Sequence, residues 1–323
     1  MECRPDVADG ALKHIDICII PCPSFWHGRG TMLLYFKGAN VNKVIRKFGG
    51  SIIAAIILVL LFSVSTCLAG AWTLGQGKIY DRLAFNYYYA NKEFDNNGDR
   101  RDFANNGNFR DFNLNNYLEY GLTDRITLIN SLYYKYLRKK DDTVKMETYS
   151  AGDIDLGIKS KLYDGRVGVV SAQTLVKIPE AYDKNDPLPI GNGQYDFEAR
   201  LLYGRSLYPF MPGYVNLEFG YRWRLEDPSD EIRYLAELGM NFTKDFYGRV
   251  KLDGIYSMDN GRHADVTGNP TTTNNFDIGK LDMALGYKLS RAWSMELGFT
   301  PAVYGQNTAL GATYSVAIAF QTP

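Results

Sequence analysis

The chain predicts an all-β fold, a transmembrane antiparallel up-and-down β-barrel of about 12 strands. Three observations carry that prediction. Segment after segment alternates large apolar with small or polar residues, the segments are joined by short turns that alternate with longer polar loops, and one apolar run stands near the start, Ser51 to Gly70, with strand-like text after it.

The alternation is plain in "GATYSVAIAFQTP", Gly311 to Pro323, where Tyr314, Val316, Ile318 and Phe320 are large and apolar and Thr313, Ser315, Ala317 and Ala319 are small or polar. Successive side chains of a strand point to opposite faces, so this pattern means two environments. In a soluble sandwich the apolar face enters a packed core. In a membrane barrel it faces lipid, and the small or polar face lines the inside.

About twelve such segments follow one another: Lys78–Ala90, Arg110–Gly121, Arg125–Leu137, Gly152–Leu162, Arg166–Ile178, Asp196–Leu207, Tyr214–Leu225, Glu231–Thr243, Arg249–Met258, Phe276–Leu289, Ala292–Tyr304 and Leu310–Phe320. Most match or exceed the roughly 9–11 residues that a tilted membrane strand needs; sandwich strands are typically about five or six. "GLTDR", "YDGR", "YPFMPG", "KDFYG" and "SRA" are the short connections, while Asp95–Phe109, Glu180–Tyr195 and Asp259–Asn275 are long. In an even-stranded antiparallel barrel odd and even connections fall at opposite ends, which places the short turns and both termini in the periplasm and the long loops outside. Val215, Leu217, Phe219, Tyr221, Trp223 and Leu225 form a lipid-facing side, against Asn216, Glu218, Gly220, Arg222 and Arg224. Tyr87, Tyr89, Tyr134, Tyr136, Tyr208 and Trp293 are placed for interfacial girdles.

The apolar run is preceded by Lys43, Arg46 and Lys47 and followed by Ala69-Gly70-Ala71. A basic start, an apolar stretch and an A-x-A exit make a signal peptide, read here as residues 41–71 with cleavage between Ala71 and Trp72. A retained anchor is the alternative, since about 20 apolar residues can span a bilayer. Residues 1–40 have no sustained period and are read as untranslated, with the true start at Met32 or Val41. All four cysteines, Cys3, Cys18, Cys22 and Cys67, precede Trp72. Cys18 and Cys22 lack a second ligand pair for a metal, and Val64–Cys67 is a poor acylation site because of Thr66. Residues 72–323 form the single barrel domain.

Charge is balanced, 36 basic against 36 acidic residues, which excludes the net field that attracts nucleic acid. Negative mean hydropathy is compatible with a membrane barrel, because inward polar residues cancel outward apolar ones. The inward faces carry charge of both signs. Arg200, Arg222, Arg224 and Arg233 form a basic stripe on neighbouring strands, and with Glu218, Glu237, Lys251 and Asp253 they are the candidate pore-lining residues.

"EYGLTDRITL" (Glu119–Leu128) resembles the short periplasmic hairpin of bacterial outer-membrane barrels, and "GDIDLGIKSKLYDGRVGVVSAQTLVKIP" (Gly152–Pro179) is similar to the central hairpin of the family named for the meta-pathway of phenol degradation. The resemblance implies an outer-membrane transporter of small, aromatic compounds in Gram-negative bacteria, and it supplies no site residues. The tail departs from barrels that finish on an aromatic, since Phe320 is followed by Gln321-Thr322-Pro323.

Residues for chemistry are few. The one histidine after Trp72, His263, stands near Asp265 in a long loop, where a solvated surface role outweighs part of a nucleophile triad. Asp153 and Asp155 share a strand with Lys159 and Lys161, a neutralised ladder rather than a metal or glycosidase pair. "DNNGD" (Asp95–Asp99) lacks the later glutamate of a calcium loop, and Gly191–Gly193 lacks the lysine and helix of a phosphate loop. No catalytic residue, cofactor or metal is expected. Three readings stand: a passive channel for small, aromatic or anionic solutes; a structural barrel with a plugged lumen; and an outer-membrane hydrolase, disfavoured by the histidine count. The expected partners are outer-membrane lipid, a small solute and the barrel-insertion machinery.

Overall fold

Period-two patterning from residue 79 to residue 321 is realised as one closed antiparallel sheet. The computed structural model describes residues 70–179, 181–226, 228–260 and 269–323. Its strands are β1 (Ile79–Phe94), β2 (Arg100–Asp102), β3 (Asn108–Thr123), β4 (Ile126–Lys140), β5 (Lys145–Ala151), β6 (Ile154–Gly165) and β7 (Gly168–Ile178), then β8 (Asp196–Ser206), β9 (Gly213–Arg224), β10 (Glu231–Asn241), β11 (Phe246–Ser257), β12 (Asp277–Lys288), β13 (Trp293–Gln306) and β14 (Thr308–Gln321). Apart from β2 and β5, each pairs with its neighbours in chain order, and β14 closes on β1 from Tyr80 opposite Gln321 to Phe94 opposite Thr308. Closure leaves no barrel edge unpaired, the condition for a backbone surrounded by hydrocarbon.

Fourteen strands make twelve staves. The three-residue β2 only folds back on the end of β1. β5 and β6 lie end to end against β4 as one stave, interrupted at Gly152-Asp153, where the Gly152 amide still donates to the Tyr133 carbonyl at 2.8 Å. All twelve predicted segments are staves. At the long-loop end β1 and β4 run past Ala90 and Leu137 to Phe94 and Lys140, and β5 was unforeseen; at the short-turn end β6 runs on to Gly165 and β11 starts at Phe246 rather than Arg249. The text of β5 and its approach, "RKKDDTVKMETY", is charged enough to look like a loop, but β5 alternates exposed with partly buried residues, Met146 packing near Phe109 and Leu137 and Thr148 donating to Asp186 Oδ2.

Three of the connections at that end are as tight as the opposite turns: residues 141–144, 225–230 and Asn307 alone, which holds φ 53° between β13 and β14. Strict alternation of short and long connections is therefore not kept.

Polarity is inverted relative to a soluble domain. Phe85, Leu201, Leu217, Phe219, Leu285, Leu297 and Val316 are large, apolar and exposed on the outer surface, whereas Glu119, Lys159, Glu198, Arg222 and Glu231 are buried inside. Aromatic rings gather at both ends of the outer band. Near the long loops Phe112 lies between Tyr87 and Tyr136, and Trp223 between Phe197 and Tyr221. Near the short turns Phe246 meets Tyr287, and Trp293 meets Phe320 at 5.1 Å. The tail after Phe320 also serves closure, because the Ile79 amide donates to Thr322 Oγ1 at 3.0 Å.

Among the described residues, buried apolar side chains inside the barrel gather in two small clusters. One, at the long-loop end, joins Phe109, Leu137, Leu188 and Ile190. The other, toward the short turns, joins Ala71, Val169 and Leu202.

Candidate functional site: the barrel lumen

Among the described residues, it is in the lumen that the fold gathers chemistry-bearing side chains. Along each stave the alternate residues point inward, and the register stacks them into layers.

The layer nearest the short turns holds a fully enclosed ion pair, Lys159 of β6 with Glu119 of β3, at 3.0 Å and with side chains 1% and 2% exposed. Tyr117 donates its hydroxyl to Glu119 Oε1 at 2.6 Å. Across the ring a second group links Arg82, Glu296, Arg249, Glu237 and Asp282 through contacts of 2.9 to 3.7 Å, with hydroxyls of Tyr247 and Tyr214 donating to Glu296 and Glu237.

Into this layer runs the segment before β1. Lys159 Nζ donates to the Gly70 carbonyl at 2.9 Å, the Ala71 amide to Asn216 Oδ1 at 3.1 Å, Ser171 Oγ to the Ala71 carbonyl, and the Leu74 amide to Thr127 Oγ1 at 2.9 Å. Ala71 and Leu74 are fully buried, and Trp72 sets its edge on Tyr214 at 5.7 Å. Thr127 and Asn216 lie on β4 and β9, four staves apart in the ring of twelve, so the segment crosses the mouth as a chord. Nothing in "GAWTLGQG" repeats with a period, so the sequence reading missed this seal.

The middle layer contains the predicted basic stripe. Arg200, Arg222, Arg224 and Arg233 all point inward, but they meet Asp196, Glu198, Glu218 and Glu231. Arg200 bridges Glu198 and Glu218 at 2.6 Å each, Arg222 meets Glu198 at 2.8 Å, and Arg224 and Arg233 meet Glu231 at 3.2 and 3.0 Å. Four guanidiniums thus face four carboxylates, one of which, Asp196, also meets Lys177 at 2.9 Å, so each arginine of the stripe has an acidic partner. Lys251 pairs with Asp282 at 3.1 Å, Glu237 belongs to the Arg249 group, and Asp253 stands opposite Lys280 in the register. Sequence reasoning missed Lys177, Asp196, Glu231 and Arg249. All four were findable by counting in twos: Asp196 and Glu231 open the predicted strands two residues before Glu198 and Arg233, and Arg249 and Lys177 continue the inward periodicity of Lys251 and Ser171. Lys161, expected inside, stands opposite the buried Ser171 just before a bulge, and its ammonium reaches exposed Asp164 at the rim at 3.0 Å.

Toward the long loops, a cavity of about 300 Å³ opens between β1, β3, β4 and β12–β14, lined among others by Tyr88, Asp111, Lys135, Lys280, Thr300 and Thr313. No ion pair within 4 Å holds Lys135 or Lys280 among the described residues; Lys135 lies over the Tyr133 ring instead.

The loop after β7 then folds over the opening. Leu188 and Ile190 are buried against Phe109 and Leu137, and Asn269 Nδ2 donates to the Pro189 carbonyl at 3.0 Å. Gly191–Gly193 belongs to this fold-over rather than to a phosphate cradle: the Gly193 amide donates to the Tyr182 hydroxyl at 2.9 Å, and with φ 65° a Cβ there would lie 2.4 Å from Lys184 Cβ. Tyr182 in turn donates to Asp153 Oδ1 at 2.6 Å, and burial first, then the Asp153 charge, pushes its pKa above the ordinary tyrosine range.

The Asp95–Asp99 loop uses its first carboxylate internally. Asp95 Oδ1 accepts the amides of Asn97 at 2.8 Å and Asp99 at 3.0 Å, and Oδ2 pairs with Arg101. The Asn97 amide foremost, with those of Asp99 and Gly98 and the Arg101 charge, holds the Asp95 pKa below its usual value. A lowered folded pKa means that the carboxylate orders the loop at neutral pH and that this contribution is lost as pH falls through the folded value. Hydrogen exchange at Asn97 and Asp99, corrected for intrinsic rates, is therefore expected to quicken below the ordinary aspartate range, and Asp95→Asn to remove that pH dependence. His263 and Asp265, like Cys3, Cys18, Cys22 and Cys67, lie outside the described residues.

Among solved structures the barrel is similar to an outer membrane channel from Pseudomonas putida, with 13% identity, 79% of this chain and 98% of that chain covered, and a TM-score of 0.62. Weaker likenesses are the NanC porin (8% identity, 74% and 100% covered, TM-score 0.46) and the CymD monoaromatic hydrocarbon channel (10%, 77% and 89%, 0.41). No protein-family model and no curated protein matches the chain. The phenol meta-pathway family suggested by Gly152–Pro179 is thus not confirmed. At these identities the likeness shows the fold, a closed 12-stranded β-barrel.

Proposed function

We propose that the chain is an outer-membrane channel for small solutes, with its short turns and barrel termini in the periplasm and its long loops outside. The observation that carries this reading is the inversion of polarity: a continuous apolar outer band with aromatic ends, around a charged interior that keeps a cavity of about 300 Å³. An apolar belt needs lipid around it, and a closed barrel with a polar interior is the architecture of a pore. The likeness to an outer membrane channel from Pseudomonas putida agrees with it. Insertion machinery is a partner of any such barrel.

Solute selection follows from the pairing. The guanidiniums of Arg222 and Arg224 are matched by carboxylates, so the groups offered to a carboxylate solute are Lys135 and Lys280 beside the Tyr88 ring. That setting suits small anionic solutes and the small aromatic compounds that the Gly152–Pro179 resemblance implies.

Single-channel recording of the refolded protein in planar bilayers tests the proposal. Discrete conductance steps are expected. Arg222→Ala with Arg224→Ala leaves Asp196, Glu198 and Glu231 under-compensated and is expected to move the reversal potential toward cation preference. A heat-modifiable barrel that stays electrically silent favours the second reading, a structural barrel with a plugged lumen. The chord across one mouth and the fold-over across the other are the observations behind that alternative.

A further inference from the structure

We infer that the export leader is cut between Ala69 and Gly70, not between Ala71 and Trp72, so that the mature chain starts with Gly70 and Ala71 built into the lumen. Both residues are structural parts of the seal. The Gly70 carbonyl accepts Lys159 Nζ at 2.9 Å, the Ala71 amide donates to Asn216 Oδ1 at 3.1 Å, and the Ala71 carbonyl accepts the Ser171 hydroxyl. The Ala71 methyl is fully buried against Val169, Leu202 and Trp72.

The fit is specific to these two small residues. A Cβ on Gly70 would lie 2.3 Å from Asn216 Cγ, and that amide is held by its own bond to Glu218 at 2.8 Å. On the other side, a Cβ on Gly204 would lie 2.7 Å from the Trp72 ring and 3.1 Å from the Ala71 methyl, so β8 has been kept bare to admit the segment.

Cleavage after Ala71 would discard this arrangement. Ser171, a buried hydroxyl, and Asn216 Oδ1 would each lose the bond that the segment supplies, and a methyl-sized void would open against Val169 and Leu202. Cleavage after Ala69 keeps every contact, and it still meets the peptidase's need for small residues, with Ala69 at the cut and Cys67 two residues before it. The step is hydrolysis by a leader peptidase: water adds to the Ala69 carbonyl, the C–N bond to Gly70 breaks, Ala69 leaves as a carboxylate and the Gly70 amine takes up a proton. This inference requires export to the outer membrane but not conduction, so the two can fail separately.

The test is N-terminal sequencing and intact mass of the protein purified from outer membranes of a Gram-negative host expressing the full chain. A first cycle of glycine, reading Gly-Ala-Trp-Thr-Leu, is expected. A start at Trp72, a lipid-modified start at Cys67, a retained leader or any other first residue overturns the inference. Two variants read processing of the precursor, which does not depend on a folded barrel. Cys67→Tyr is expected to accumulate precursor and Ala71→Tyr to be cut normally; the reverse pattern returns the site to Ala71.

Discussion

A refolded chain beginning at Gly77 is expected to conduct roughly several-fold more per channel than one beginning at Gly70, because it lacks the chord that narrows the short-turn mouth. The geometry behind this is direct. The Gly70–Leu74 segment is hydrogen bonded to Thr127 of β4, Lys159 of β6, Ser171 of β7 and Asn216 of β9, and its Ala71 and Leu74 side chains are completely buried inside the ring. The other half of the same layer is filled by the Arg82, Glu296, Arg249 and Glu237 group, so the chord closes what remains. The barrel itself starts at Ile79, and its closure by β14 does not involve the deleted residues. Planar-bilayer recording of both proteins, each shown to be folded by heat-modifiable migration, makes the comparison. Equal conductance would place the constriction elsewhere, at the loop that carries Leu188 and Ile190.

The second large effect is on stability. Glu119→Ala is expected to destabilise the barrel by about 3–5 kcal/mol, because it strands the Lys159 ammonium in an enclosed layer. Lys159 keeps only the Gly70 carbonyl, and Tyr117 loses its acceptor. The pair as a whole is a different matter. Removing both ends together, Glu119→Leu with Lys159→Met, is expected to be near neutral, since the desolvation of two charges offsets their attraction. Urea unfolding of Glu119→Leu, Lys159→Met and the double variant in lipid vesicles, with Glu119→Ala beside them, completes the cycle. A single substitution costing no more than the double would show that the pair is wetter than its 1% and 2% exposures indicate.

Much of this protein was legible in its sequence because a barrel is a repeated local statement. Leu217, Phe219 and Trp223 against Asn216, Arg222 and Arg224 declare two faces within one strand, and the same declaration recurs around the ring. Alternation of that length determined the class, the number of staves and which side chains look outward. It also placed Arg200, Arg222, Arg224 and Arg233 inside, although not which carboxylate each meets, since that depends on the heights at which neighbouring staves bring their side chains together.

What only the tertiary structure decided is everything that has no period. Ala71 meets Asn216 across 145 positions and Lys159 meets Gly70 across 89, and no pattern in "GAWTLGQG" announces either. The fold-over of Leu188 and Ile190 onto Phe109 and Leu137 is equally unannounced, because a polar loop with two aliphatic residues reads as solvated until a ring of staves gives it an apolar wall to meet. Wall and contents differ for a physical reason. The wall is fixed by which face each residue turns to lipid, a property of neighbours in the chain, whereas the contents are fixed by which groups the closed ring brings to the same height.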